Sequence, residues 1–398
     1  TVPMLHYTIG AIEALLGNDP AASYREAAAA SPDYCFPARL EDIGILEAAI
    51  QANPSDARAP YYLGNLLYDR RRHRDAIALW ERSVAVDASN GIVHRNLGIA
   101  AFNILGDPGR AREHYDAAMR AAPEDARVFY ERDQLWKRTG ASPQERLAEL
   151  RRRLDLVERR DDLTIEFCSL LDTVGEFEEA EKILAVRKFQ PWEGGEGQAL
   201  GVYTRTQLAL GYRALAAGDA ASAEAAFERA LRPPENLGEA RHLLANASDV
   251  WLALGDAKAA SGDDDEAERW WGRAAEFRGD FQDMSVRSFS ELTAFQAEAL
   301  RRLGREQEAN DLLRTLEAYA EELEQTEAKI DYFATSLPTM LLFEDDLQAR
   351  QTNTARFLKA QAAAGVGESE KAAALLADVL RYDPNHVRAI DLKARLEA

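Results

Sequence analysis

Cysteine is almost absent from this chain. Cys35 and Cys168 are the only two among 398 residues, too few for a disulfide framework or a four-ligand zinc site. They are expected to be buried thiols in a reducing, cytoplasmic compartment. The six histidines, His6, His73, His94, His114, His242 and His386, are scattered and make no His-Glu-x-x-His pair. No metal and no cofactor are therefore expected. No run approaches the roughly 20 apolar residues that a membrane helix needs. The first residues, Thr1-Val2-Pro3-Met4, have no charged-then-apolar leader pattern. Opening on threonine rather than methionine, the chain is expected to be either a trimmed form or a fragment of a longer protein.

Positive charge is also in deficit. Lys and Arg number 48 against 68 Asp and Glu, and 48 − 68 leaves −20. Such an excess repels phosphate backbones and anionic lipid, so neither nucleic acid nor membrane is an expected partner. The short basic runs Arg70-Arg71-Arg72 and Arg151-Arg152-Arg153 read as solvated helix faces. Hairpin signals between alternating apolar runs are missing, which points to an all-α chain. Gly195-x-Gly197-x3-Gly201 follows no strand, so it does not read as a dinucleotide loop. Asp263-Asp264-Asp265 lacks the spacing and the glycine of a calcium loop. It is expected to favour the start of a helix.

What the sequence does hold is a repeat. At 46% hydrophobic the chain can bury a large core, and its length suits several units or an array. Leu63, Gly64, Leu67, Ala76, Trp80 and Ser83 recur as Leu97, Gly98, Ala101, Ala111, Tyr115 and Ala118, with Pro123 following. The two Leu-Gly pairs lie 98 − 64 = 34 positions apart. Leu210, Gly211, Ala214, Ala223, Phe227 and Ala230 repeat the pattern, as do Trp251, Leu254, Gly255, Ala267, Trp271 and Ala274. Small residues let two antiparallel helices approach, and the aromatic fills the gap that this leaves. The pattern resembles the tetratricopeptide repeat, whose period is 34 residues. Lys258 departs from it where the family usually has an aromatic.

Looser stretches keep only the second-helix half. These are Ala180-x3-Leu184 after Gly175, Ala309-x3-Leu313 after Gly304, and Ala372-x3-Leu376-x2-Val379 before Pro384. Val387 to Ala398 reads as a final capping helix with a polar outer face. The expected fold is an all-α, tetratricopeptide-type α-solenoid of antiparallel helix pairs, with several degenerate repeats and inserted loops. The expected organisation is an N-terminal helical segment over 1–52 and two repeats over 53–124. Degenerate repeats and a Gly-rich loop follow over 125–200. Two repeats with an inserted loop occupy 201–278, and degenerate repeats with a cap occupy 279–398.

Four segments break the period: Ser31 to Glu41, Phe189 to Gly197, Arg232 to His242 and Tyr332 to Pro338. Each mixes Pro or Gly with aromatic and ionisable residues, and loops of that kind on a rigid scaffold are where binding tends to sit. In this order within such an array they resemble bacterial proteins in which a β-rich, mutarotase-like region of unknown function precedes a repeat half. That resemblance implies a β-rich partner domain in the parent protein and a connection to carbohydrate. It carries no catalytic residues.

Two candidate sites follow. Repeats of this family present the inner face of each first helix, which here carries Tyr61, Asn65 and Tyr68, then Arg95 and Asn96, then Arg127. Asn65 and Asn96 fall where peptide-clamping members place asparagines. Tyr61 and Glu131 stand where such clamps carry cations. The loop candidates are Trp192, Glu193, Glu196, Glu235, Asn236, Glu239, Arg241 and His242. Paired carboxylates could flank a glycosidic bond at roughly 5–10 Å, with Trp192 as a platform for a sugar ring. The alternative is that the glutamates cap helices or face water and Trp192 packs on the scaffold. No nucleophile–base arrangement or phosphate loop is found, so the isolated chain is not expected to be an enzyme. The expected function is an interaction scaffold that binds a polypeptide. The second reading is a part of a carbohydrate-active enzyme.

Overall fold

The computed structural model describes residues 2–192, 194–282, 285–329 and 342–397. The chain divides into two compact units: Thr1–Trp136 with Leu342–Glu344, and Lys137–Leu341 with Asp345–Ala398. Each is a stack of antiparallel helix pairs.

Unit 1 holds α1 (Pro3–Leu15), α2 (Ala21–Ala29), α3 (Glu41–Ala52), α4 (Arg58–Asp69), α5 (His73–Val86), α6 (Gly91–Asn103), α7 (Pro108–Ala121) and the unit's share of α8 (Ala126–Arg138). α4 pairs with α5 and α6 with α7, and each pair packs on the next. The glycines explain how the helices approach so closely. A Cβ on Gly64 would lie 2.5 Å from the indole Nε1 of Trp80, and one on Gly98 would lie 2.6 Å from the Tyr115 ring. Each glycine is the bed of the aromatic that its partner helix supplies. Caps fix the ends: Asn90 accepts from the amides of Ile92 and Val93, and Asp107 from that of Arg110. Tyr7 reaches across 49 residues to donate to Asp56 at 2.8 Å.

Unit 2 runs through α9 (Pro143–Arg151), α10 (Leu154–Val157), α11 (Asp161–Val174), α12 (Phe177–Val186), α13 (Gln198–Ala216) and α14 (Ala220–Leu231). It continues as α15 (Ser248–Ala260), α16 (Asp264–Glu276), α17 (Thr293–Arg302) and α18 (Glu306–Gln325), then α19 (Leu347–Gly365), α20 (Ser369–Tyr382) and α21 (Val387–Glu397). The glycine–aromatic device returns twice. A Cβ on Gly211 would meet Phe227 at 2.2 Å, and one on Gly255 would meet Trp271 at 2.3 Å. The degenerate pairs keep their second-helix core: Ala180, Leu184, Ala309, Leu313, Ala372, Leu376 and Val379 are all buried. Asp263 is the N-cap of α16 and accepts from the amide of Glu266, which accounts for the acidic run there.

Two features differ from the sequence expectation. Asp280–Gln282 (β1) and Ser285–Arg287 (β2) form a small antiparallel ladder, with Phe281 opposite Val286. Three residues a side are too short to leave an alternating signature. The last helix, α21, is present, but its polar residues are not simply an outer face. Asp391 takes the guanidinium of Arg205 at 2.7 and 2.9 Å, and Arg388 bonds Glu291 at 2.9 Å. Just before it, Asn385 accepts from the fully buried Arg146 at 2.9 Å. The end of unit 2 is thus tied back to its first helices.

Candidate functional site

The six groove candidates do come together on unit 1, on α4, α6 and α8. Asn65 accepts from Trp80 Nε1 and from Asn96 Nδ2, both at 3.1 Å. The Asn96 carbonyl in turn accepts from Arg95 at 3.3 Å. Arg95 is forked onto Glu131, with Nε at 2.5 Å and Nη2 at 2.7 Å. Arg127 donates to the same carboxylate at 2.9 Å, and Tyr115 donates to it at 3.1 Å. Glu131 is only 4% exposed. The polar groups therefore form one chain of bonds running from repeat to repeat. Glu131, which stands where a clamp would have a cation, neutralises the arginines beside it. Tyr61 is buried against Tyr62, and Tyr68 lies over His73 and Trp80 with centroids 4.6 and 5.1 Å away.

One residue that sequence reasoning missed holds a peptide. Asn103, the last residue of α6, donates from Nδ2 to the carbonyl of Leu342 at 3.0 Å. Its Oδ1 accepts from the amide of Glu344 at 2.9 Å. Between these two bonds Phe343 is sunk to 1% exposure, edge-on to Phe102 at 5.2 Å and tilted on Tyr115 at 5.8 Å. Leu342 packs on the same cluster as Ile99 and Val128. Asn103 lies seven residues after Asn96, two helical turns on and so on the same face. That spacing was the available signal.

The loop candidates of unit 2 are joined to one another and to helix ends. Glu193 lies outside the described residues, as does the segment Tyr332 to Pro338. Trp192 lies on Gly195, where a Cβ would fall 1.9 Å from the indole. Glu196 accepts from the amide of Gly194 at 2.8 Å. Glu239 uses both oxygens at the start of α13, accepting from Gly197 at 2.7 Å and from Leu200 at 3.3 Å. Asn236 donates to the carbonyls of Leu184 and Arg187 at 2.8 and 2.7 Å, closing the end of α12. Arg241 donates to Thr204 and to the carbonyl of Ala230 at 3.2 and 3.1 Å. Glu235 opens a single 3-10 turn and is exposed, and exposed His242 accepts from the amide of Leu244 at 3.1 Å.

Residues 61–126 match the family model described as tetratricopeptide repeat. That stretch carries tetratricopeptide repeats. Solved repeat structures resemble the chain at low identity. YrrB, described as a TPR protein with an unusual peptide-binding site, is 16% identical over 58% of this chain and 91% of its own, with a TM-score of 0.32. A tetratricopeptide repeat protein from Parabacteroides merdae is 15% identical over 65% of this chain and 91% of its own, with a TM-score of 0.32. The Naa15/Naa10 complex bound to HypK-THB gives 15% identity over 98% of this chain and 65% of that chain, with a TM-score of 0.33. The helix-pair architecture stands on the coordinates and the repeat match rather than on these likenesses.

The repeats of unit 2 also enclose a cavity of about 540 Å³ that sequence reasoning did not find. Its apolar lining includes Leu200, Leu208, Tyr212, Leu292, Phe295 and Phe357. Four arginines reach it, Arg205, Arg241, Arg388 and Arg395, against two carboxylates, Asp249 and Asp391. Only Arg241 was among the sequence candidates. The lining residues run from Phe177 to Arg395, a separation that no local pattern spans. Among the described residues no helix is long and apolar enough to cross a membrane.

Proposed function

We propose that the chain is a protein-interaction scaffold whose first unit binds a short polypeptide segment. The observation that carries this reading is Asn103, which brackets the backbone around Phe343 with one donated and one accepted bond. The backbone bends at Leu342 and Phe343, and the asparagine amide satisfies the carbonyl before the aromatic residue and the amide after it without reading side chains. The Phe102–Tyr115 pocket then selects an aromatic residue between the two bonds. Here the occupant is the chain's own Leu342-Phe343-Glu344. A partner presenting an apolar–aromatic–acidic tripeptide with the same bend meets the same contacts. The match to the repeat family over residues 61–126 supports a polypeptide partner.

The β-rich region of a parent protein is the partner that the sequence resemblance suggests. The carbohydrate reading gains little from the loops, because Glu239 is committed to the start of α13 and Trp192 to Gly195.

Fluorescence polarisation with a labelled Leu-Leu-Phe-Glu-Asp-Asp peptide, the sequence of residues 341–346, tests the proposal. The Phe343→Ala chain should bind the peptide more tightly than wild type, since its own segment competes less well. Adding Asn103→Ala to Phe343→Ala should weaken binding tenfold or more, on the scale of two lost hydrogen bonds of about 1 kcal/mol each. A Phe343→Ala chain that does not bind the peptide, or that binds it equally well without Asn103, overturns the proposal.

A further inference from the structure

The cavity of unit 2 has a charge that the rest of the chain does not prepare for. In a protein of net −20, its lining carries four arginines and two aspartates, 4 − 2 = +2. Two of the four arginines are neutralised. Arg205 is forked onto Asp391, and Arg388 bonds Glu291 at 2.9 Å with Asp249 at 4.0 Å. Arg241 and Arg395 have no carboxylate within 4.0 Å among the described residues.

The two unpaired cations are differently placed. Arg241 is half-buried. Its Nη2 is occupied by Thr204 and the Ala230 carbonyl, while its Nε is buried with no partner. Burial pulls its pKa down, and only the longer-range field of Asp249 opposes that. Arg395 is exposed and stands 5.3 Å over the ring of Phe295. A guanidinium held in an apolar cavity without a counter-charge is costly, and an anion arriving there recovers the difference. Such sites combine a predominantly apolar wall with a few charged groups that fix orientation. The volume is in the range that takes a small organic ligand, roughly 300–1,000 Å³.

We infer that this cavity binds an apolar monocarboxylate, with its body against Leu208, Phe295 and Phe357 and its carboxylate between Arg241 and Arg395. A neutral amide of the same shape would fill the same space but leave both cations unpaired. The site is independent of the Asn103 groove, so neither result decides the other.

Calorimetric titration of the full chain with octanoate and with octanamide tests the inference. Octanoate should bind with one-to-one stoichiometry at least tenfold more tightly than octanamide. Arg395→Gln should lower octanoate affinity several-fold, and Arg241→Gln at least tenfold, while octanamide binding stays unchanged. Arg395 is exposed and makes no ion pair among the described residues, so its variant should remain folded even if Arg241→Gln does not. Equal affinity for acid and amide overturns the inference. So does an Arg395→Gln chain that binds octanoate as wild type does.

Discussion

Glu131 receives both Nε and Nη2 of Arg95, 36 residues earlier, at 2.5 and 2.7 Å. The pair links the second repeat to the helix after it, and it turns a cation of the groove into part of the scaffold. Glu131 also receives Tyr115 and Arg127, so its removal strands four donors on three residues at once. Glu131→Gln should therefore cost about 2–3 kcal/mol, somewhat below the range for a fully buried pair because Arg95 is partly exposed. Arg95→Met and Glu131→Leu together should cost less than the sum of the two single substitutions, because each single leaves its partner without a counter-charge. Urea unfolding of Arg95→Met, Glu131→Leu and the double variant measures this, and strictly additive costs would show that the pair is not coupled.

Glu239 is the second test, because two readings of it diverge. As a cap it holds two free amides at the positive end of α13. Glu239→Ala should then destabilise the chain by about 1 kcal/mol. It should also speed hydrogen exchange at the amides of Gly197 and Leu200. Unchanged exchange at those two amides would free Glu239 for a role in binding.

Asp172 sets a pH dependence. It is 3% exposed, accepts from Thr206 at 2.8 Å on one oxygen and has no partner among the described residues on the other. Burial pushes its pKa up from 3.8 to about 7, against the field of Arg205 and the Thr206 bond. A raised folded-state pKa means that the folded chain holds this proton more tightly than the unfolded chain does. The stability it contributes is fully present below about pH 4 and is lost as pH rises through about 7. At about 1.4 kcal/mol per pKa unit, the loss is at most about 4 kcal/mol. Asp172→Asn should remove this slope and be the more stable chain at pH 8. Denaturant midpoints for both chains from pH 4 to 8 check it, and parallel curves would refute it.

The repeats were legible because their cause is local. Gly64 and Trp80, or Gly255 and Trp271, are 16 residues apart on helices that follow one another, so chain order brings glycine and ring together. The acidic run at Asp263 was readable for the same reason, since a cap acts on the next turn of its own helix. Asn65, Asn96, Arg95 and Arg127 lie on the first helices of successive helix pairs. Their mutual bonds were not visible, because whether Arg95 faces a ligand or Glu131 depends on how two neighbouring repeats are stacked. In the loops, Glu239 and Gly197 lie 42 positions apart, and nothing in either segment says that one caps the helix after the other.

Helix pairs, their glycine–aromatic packing and the deficit of positive charge can be read along the linear chain, because all of them depend on short spacings or on sums. Tertiary structure alone decided where the open chemistry lies. It brought Phe343 beside Asn103 across 240 positions, and it assembled the cavity arginines from helices as far apart as α13 and α21. A pairing that leaves one cation satisfied and another waiting is a property of distance in space, which a linear pattern does not record.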